Sequence, residues 1–419
     1  MSETEPILVE KLVHGGQAIA SLPNGKRILL WNALPGELVI PRITKQKRSL
    51  TEGIAETIVR RSPERLEPRD EAFLSTSPWQ IMEWSAENTY KRDILRETFE
   101  REHVRYDSKI ELIHDERMWG YRNKMEYSFW ADEDGLHLAL FHRGSHGKRI
   151  VQGSSIAMPQ IDETANRILG VLNDAGIRGS QLKTLVIRAN QQGDCLAAVF
   201  VKDDMFKKLE NLEGTCRGIT VCYSNPKSPA SVLTSELYAY GETALTDRVL
   251  DTDISYDVHS FFQVNLPVFE RAGNRIKAEI SETNEVVDLY SGVGTIGLAC
   301  GAGKLVEIDE RNIAMAEENA KRLERHIEVV HASAESATET ITGAPALIVD
   351  PPRAGLHSKL VGAILEKQPP KLLYLSCNPI TQARDIALLQ EVYDLRLLEG
   401  YNFFPRTPHI ESLAILMRR

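Results

Sequence analysis

The chain has 419 residues, 42% hydrophobic and 26% charged, with a net charge of −9. This is the composition of a multi-domain globular protein and excludes a simple basic nucleic-acid binder. Five scattered cysteines without a Cys-x-x-Cys pair exclude a disulfide framework or a cysteine-built zinc site and fit a reducing cytoplasm; no apolar run is long enough for a membrane span, and the acidic start Met1-Ser-Glu-Thr-Glu5 is unlike a signal peptide.

The charge is uneven. Residues 1–69 hold 11 Lys+Arg against 8 Asp+Glu, so a basic end precedes an acidic remainder, as in a module with a polyanionic partner. Short strands are expected at 7–12, 17–22, 27–31, 37–43 and 53–60, punctuated by Gly15-Gly16, Pro23-Asn-Gly25 and Pro35-Gly36. Five such strands within residues 1–61 suit a small OB-like β-barrel, with Arg42, Lys45, Lys47, Arg48, Arg60 and Arg61 as phosphate-seeking charge. Residues 62–83 are charged and turn-rich, as a linker is. A helix capped by Ser85 is expected to run to about His103, with Tyr90, Ile94, Leu95 and Phe99 on one face. Residues 84–115 are expected to pack on the C-terminal domain, residues 251–419.

Residues 116–250 mix strands (136–142, 196–201) with a helix over 161–175, a central α/β domain. Arg122, Lys124, Arg143 and Lys148 could line a path for a phosphate backbone, although solvated surface cations are the commoner explanation. His142 and His146 are four apart, but Gly144 intervenes and no carboxylate joins them, so no metal site is expected. From residue 251 strands and helices alternate: strands at 285–289, 304–308, 346–349 and 372–375, and helices reaching 301 and spanning 310–325, 358–367 and 380–391. Two last strands, 393–399 and 411–417, read as an antiparallel edge. The order predicts an α/β, doubly wound, Rossmann-like domain over 251–419.

Chemistry-bearing residues fall at the ends of these strands. Asp288-Leu-Tyr290-Ser-Gly292-Val-Gly294-Thr295-Ile-Gly297 contains G-x-G-x-x-G, a turn that brings a ligand onto a helix start. Asp288 would repel a pyrophosphate, and Lys304-Leu-Val-Glu307-Ile-Asp309 ends in carboxylates suited to ribose hydroxyls. This favours S-adenosylmethionine (SAM) over NAD. Asp350-Pro-Pro-Arg353 makes a rigid loop after its strand. Ser376-Cys377-Asn-Pro379 places a thiol at a strand end, where a small buried hydrophobe is the plain alternative. Glu411 enters an apolar strand, where an unpaired charge would cost several kcal/mol.

Taken with Phe262-Gln263-Val-Asn265 and Pro408-His-Ile-Glu411, these motifs resemble those of the RNA uracil-C5 methyltransferases. Gly15-Gly16-Gln-Ala18 and Pro35-Gly-Glu-Leu-Val39 resemble a TRAM domain, a small barrel appended to RNA-modifying enzymes. The resemblance implies SAM-dependent methylation of uracil C5 in structured RNA, tRNA or rRNA, with Cys377 as nucleophile and Glu411 as base. It places Gln263, Tyr290, Gly292, Gly294, Thr295, Glu307 and Asp350 around the cofactor or base; Thr295 stands where some relatives have Asn. Many relatives carry a [4Fe-4S] cluster on cysteines near the barrel junction. Ser75-Thr-Ser-Pro-Trp-Gln80 stands there, so no cluster is expected. Asp350-Pro-Pro lacks the thiol of cytosine-modifying relatives, which points to uracil. No membrane and no obligate protein partner are implied. The competing expectations are an inactive methyltransferase-like RNA-binding protein, a SAM enzyme acting on another substrate and, more distantly, a NAD oxidoreductase.

Overall fold

A computed structural model describes residues 5–46, 50–107, 109–145, 147–228, 231–281, 283, 285–324 and 326–419; Lys47, Arg48 and His146 lie outside the described residues. The first five strands are β1 (Ile7–Leu12), β2 (Ala18–Ser21), β3 (Arg27–Trp31), β4 (Leu38–Gln46) and β5 (Thr51–Arg60). They close a barrel in the order β1-β2-β3-β5-β4. Alternation puts Ile7, Val9, Ile28 and Leu30 inside. That core continues outside the barrel into Trp79, Ile81, Met82, Ile94 and Ile410. The stretch 62–83, expected as a linker, therefore carries buried side chains, and Trp79 is only 1% exposed.

After the short α1 (Phe73–Thr76), α2 (Trp84–Arg101) starts one residue before Ser85, the expected cap. The Glu83 N–H donates to the Glu64 carbonyl at 2.8 Å, which anchors the chain there, and Ser85 lies within the first turn. Strand β6 (Glu111–Ile113) follows.

The central sheet comprises β7 (Lys124–Asp132), β8 (Gly135–Phe141), β9 (Lys148–Ile150), β10 (Leu182–Ala189), β11 (Cys195–Val201), β12 (Gly218–Tyr223) and β13 (Ser235–Gly241), ordered β13-β12-β11-β10-β7-β8-β9. Helix α3 (Pro159–Asp174) covers one face with Ile161, Ala165, Ile168 and Leu172. From the other face Val186, Ala198 and Phe200 join the core of the C-terminal domain. A hairpin of β14 (Leu245–Val249) and β15 (Thr252–Tyr256) leads into α4 (Leu266–Ile280).

The last domain is the expected doubly wound α/β unit. Its elements are β16 (Val287–Leu289), α5 (Thr295–Cys300), β17 (Lys304–Glu307), α6 (Glu310–Arg322), β18 (Glu328–His331), β19 (Ala346–Val349), α7 (Ser358–Lys367), β20 (Lys371–Ser376), α8 (Pro379–Leu389), β21 (Tyr393–Tyr401) and β22 (Glu411–Arg418). The sheet order is β18-β17-β16-β19-β20-β22-β21-β6, with β16 to β20 parallel. The runs Leu347 to Val349 and Leu372 to Leu375 are buried because helices cover both faces. The chain order reverses between β16 and β19, the crevice where such sheets bind ligands.

The last two strands are antiparallel, as expected, but they are not the edge. Strand β22 inserts between β20 and β21, and β6, from a stretch expected only as helix, pairs with β21 outside it. Three residues carry too little periodicity to announce such a strand. Among the described residues no helix is long and apolar enough to cross a membrane.

Candidate active site

Three polar groups meet at the carboxyl edge of this sheet. Asp350 follows β19, Cys377 follows β20, and Glu411 opens β22. The pairing Ser376↔Ser412 sets Cys377 opposite Glu411, and Val349↔Tyr374 brings Asp350 up beside them. Neighbouring strands lie about 4.8 Å apart. Among the described residues no other side chain hydrogen-bonds or ion-pairs with the Cys377 sulfur or with the side-chain carboxyls of Asp350 and Glu411. Glu411 is 6% exposed, and Cys377 is half-buried.

Their electrostatics follow from that placement. Burial, then the Glu411 and Asp350 carboxyls, push the Cys377 thiol up to about 12, against the pull of Arg353. Burial lifts Asp350 to about 7. Burial and then Asp350 hold Glu411 well above the usual carboxylate range, with Arg353 opposing. The cluster is thus poised to hold protons.

Helix α8 fixes the cluster from behind. Asn378 caps it, and Pro379 starts its first turn. The Asn378 Nδ2 donates to the Arg353 carbonyl at 2.7 Å, and Arg384 Nη2 donates to the Ala354 carbonyl at 3.1 Å. Buried Asp385 accepts from the Leu356 N–H at 2.8 Å and the Tyr374 hydroxyl at 2.9 Å. The loop after Asp350 is therefore latched to the helix after Cys377. Gln382 Nε2 donates to the carbonyls of Tyr374 (2.8 Å) and Ser412 (3.1 Å), tying β20 to β22.

The glycine turn lies one strand away. Gly292 and Gly294 have φ of +57° and +86°, and a Cβ on Gly294 would sit 2.6 Å from Leu298. The Asp288 Oδ2 accepts from the Gly297 N–H at 2.9 Å, while its buried Oδ1 has no partner. Burial, Asp350 and Glu307 keep Asp288 well above the usual range. Glu307 accepts from the N–H groups of Gly292 (2.8 Å), Ile308 and Asp309 (both 2.9 Å). Asp309, expected beside it as a second ribose ligand, instead caps α6, accepting from Arg311 and Asn312. A cleft of about 660 Å³ opens here, lined by Tyr290, Glu307, Ile308, Ala334, Pro352 and Leu356 among others.

Tyr290 and Glu307 line that cleft; Gln263, Gly292, Gly294, Thr295 and Asp350 lie outside its lining. Thr295 is buried at the start of α5. Gln263 is largely buried, and its carbonyl accepts from Asn123 Nδ2 at 2.9 Å. The Phe261 carbonyl lies 4.0 Å from where a Gly292 Cβ would stand, so the Phe262-Gln263 segment borders the glycine turn.

The loop between β21 and β22 ends in the Pro408-His409-Ile410-Glu411 motif. The His409 side chain is exposed, and its ring meets Phe404 edge-on at 5.6 Å. The backbone before it is gripped from many sides. The carbonyls of Phe403, Phe404, Pro405 and Arg406 accept from Asn265 Nδ2, Lys91 Nζ, the Tyr121 hydroxyl and the Trp79 N–H, at 2.9–3.0 Å. Asn265 of the Phe-Gln-Val-Asn motif thus braces the loop that leads to Glu411.

Comparison with known proteins agrees with this layout. Residues 343–419 match the family described as tRNA (Uracil-5-)-methyltransferase. An uncharacterized RNA methyltransferase of Enterococcus faecalis is 27% identical over 97% of this chain and 95% of its own length. One of Thermotoga maritima is 26% identical over 99% of each. The fold matches that of Pyrococcus abyssi tRNA (uracil-54, C5)-methyltransferase in complex with S-adenosyl-L-homocysteine. The TM-score is 0.79 at 24% identity, covering 98% of this chain and all of the other. Residues 343–419 are thus similar to the tRNA (uracil-5-)-methyltransferase family, and nearly the whole length of the chain is similar to proteins named RNA methyltransferases.

Proposed function

We propose that the chain methylates C5 of a uridine in structured RNA, tRNA or rRNA, with SAM as methyl donor. The observation that carries this reading is the meeting of Cys377, Asp350 and Glu411 at adjacent strand ends beside the glycine turn.

SAM, when bound, supplies a methyl group on a positively charged sulfonium. Asp288, Glu307 and Asp350 surround the place for that charge, and a nearby cation favours the ionised forms of the two buried aspartates. Glu307 and Tyr290 line the cleft that would hold it, and the partnerless Asp288 Oδ1 is a free acceptor. The family resemblance to SAM-dependent enzymes and the fold shared with a protein solved in complex with S-adenosyl-L-homocysteine point the same way.

Uracil C5 is a weak nucleophile. Addition of the Cys377 sulfur to C6 forms a C–S bond and turns C5 into the nucleophilic carbon of an enolate. The resting thiol is protonated, so its proton must leave as sulfur adds. Asp350, poised at about 7, stands in the same cluster to take it. Once C5 is methylated, Glu411 removes the C5 proton, the C–S bond breaks and Cys377 is released. A base can reach this recess only by leaving its stack, and cations of the barrel and central domain would hold the flanking backbone.

The test is Glu411→Gln incubated with RNA and SAM. A denaturant-resistant protein–RNA band should accumulate while turnover falls. Normal turnover without the band would remove Glu411 from the mechanism. Nucleoside mass mapping should find 5-methyluridine; methyl transfer to protein, or SAM binding without transfer, would favour the competing readings.

A further inference from the structure

The loop of residues 402–410 ends on Glu411, and the strands it joins pair through Tyr401↔Glu411. Its shape therefore sets where the Glu411 carboxyl points. Arg406, in its middle, has φ of +62°, a conformation that needs outside support in a residue with a side chain.

Beside the Trp79 N–H on the Arg406 carbonyl, that support comes from a fully buried acid–base pair on a distant helix. Glu87 and Lys91, one turn apart on α2, are wholly enclosed and 3.0 Å from each other. The Glu87 carboxylate accepts from the Arg406 N–H at 3.0 and 3.1 Å and from Asn402 Nδ2 at 3.0 Å, with the Arg406 guanidinium 3.7 Å away. Lys91 Nζ donates to Asn402 Oδ1 at 2.6 Å and to the Phe404 carbonyl at 3.0 Å. Among the described residues, every side-chain hydrogen bond the pair makes beyond itself goes to this one loop. A buried ion pair is a poor source of stability, since desolvation cancels most of its attraction, whereas directional bonds to a backbone specify one conformation.

We propose that Glu87 and Lys91 are positioning residues for methyl transfer: they hold the loop of residues 402–410 in the one shape that presents Glu411 to the reacting ring. The proposal rests on the reading of Glu411 as the base that removes the C5 proton. Both act through the loop, Glu87 through Asn402 and Arg406 and Lys91 through Asn402 and the Phe404 carbonyl.

The step at risk is proton removal, so loosening the loop should slow adduct breakdown more than adduct formation. Full-length Glu87→Gln should lose about a hundredfold in kcat, the scale of a 1 Å misplacement. Its KM for RNA and for SAM should stay within threefold, and the denaturant-resistant RNA adduct should accumulate. A purely structural role would instead lower the folded fraction with no trapped adduct. If Glu87→Gln does not fold, Asn402→Ala is the second variant, because it keeps the ion pair and removes the one loop side chain that both of its members hold. It should show the same signature, weaker. Either folded variant turning over at the wild-type rate without adduct overturns the proposal. Glu411→Gln is run in parallel. If it traps adduct while Glu87→Gln behaves as wild type, only the positioning role fails. If Glu411→Gln itself turns over without adduct, the reading of Glu411 fails whatever Glu87 does.

Discussion

Replacing Gly16 by Ala tests whether the barrel is built into the candidate active site or merely hangs beside it. Gly16 lies in the turn between β1 and β2, with φ of +92°. Its carbonyl accepts from the Trp79 indole at 3.0 Å. A Cβ there would fall 2.2 Å from Pro408 Cβ and 2.5 Å from its Cγ. Pro408 is a closed ring three residues before Glu411 and cannot rotate away. The left-handed backbone costs an L-residue about 1–2 kcal/mol, and forced overpacking adds about 1–3 kcal/mol. Together that is a substantial part of the roughly 5–15 kcal/mol that holds a typical protein folded. Gly15→Ala separates the two terms, because Gly15 has φ of +90° and nothing within 4 Å of where its methyl would stand. Urea titration followed by tryptophan fluorescence should therefore find Gly16→Ala less stable than Gly15→Ala by about 1–3 kcal/mol. Methylation by folded Gly16→Ala should also slow, since Pro408 must shift. Equal stability of the two variants with unchanged rates would refute the coupling of barrel and site.

Cys377→Ala should abolish methylation yet leave SAM binding intact; isothermal titration beside a methyl-transfer assay checks this, and residual turnover near wild type would exclude the nucleophile. Asp350→Asn bears on pH. Burial raises the native carboxyl from 3.8 to about 7, so the folded protein keeps a proton that the unfolded chain has already lost. Wild type should therefore lose stability relative to Asp350→Asn as pH climbs from about 4 to about 7, with the gap constant above; parallel denaturation curves with no pH trend would contradict the assignment. Lys45, exposed on β4, has no carboxylate partner among the described residues. Lys45→Gln should weaken RNA binding across sequences and lower the salt slope by about 1, read from binding at several salt concentrations.

The strand-end motifs were legible because each combines a short apolar run with residues that cannot continue it. Leu372 to Leu375 followed by Ser-Cys-Asn-Pro, and Leu347 to Val349 followed by Asp-Pro-Pro, announce a buried parallel strand and its turn. In a doubly wound sheet those turns share one edge, so the convergence of Asp350 and Cys377 follows from connectivity. Less could be read where the structure depends on contacts between distant segments. The cap that Asp309 forms on α6 depends on the backbone N–H groups of Arg311 and Asn312 in the folded helix. Strand β6 is three residues long, and its partner β21 lies nearly three hundred residues further along the chain.

The order of residues alone thus determined the barrel, the wound sheet and the thiol at a strand end, because alternation, turn residues and right-handed crossovers are local rules. Tertiary structure alone decided that Glu87 and Lys91 would reach under the loop before Glu411, and that Gly16 would lie against Pro408. An enclosed ion pair and a glycine chosen for close approach have no period in sequence. Their meaning lies in what faces them across the fold.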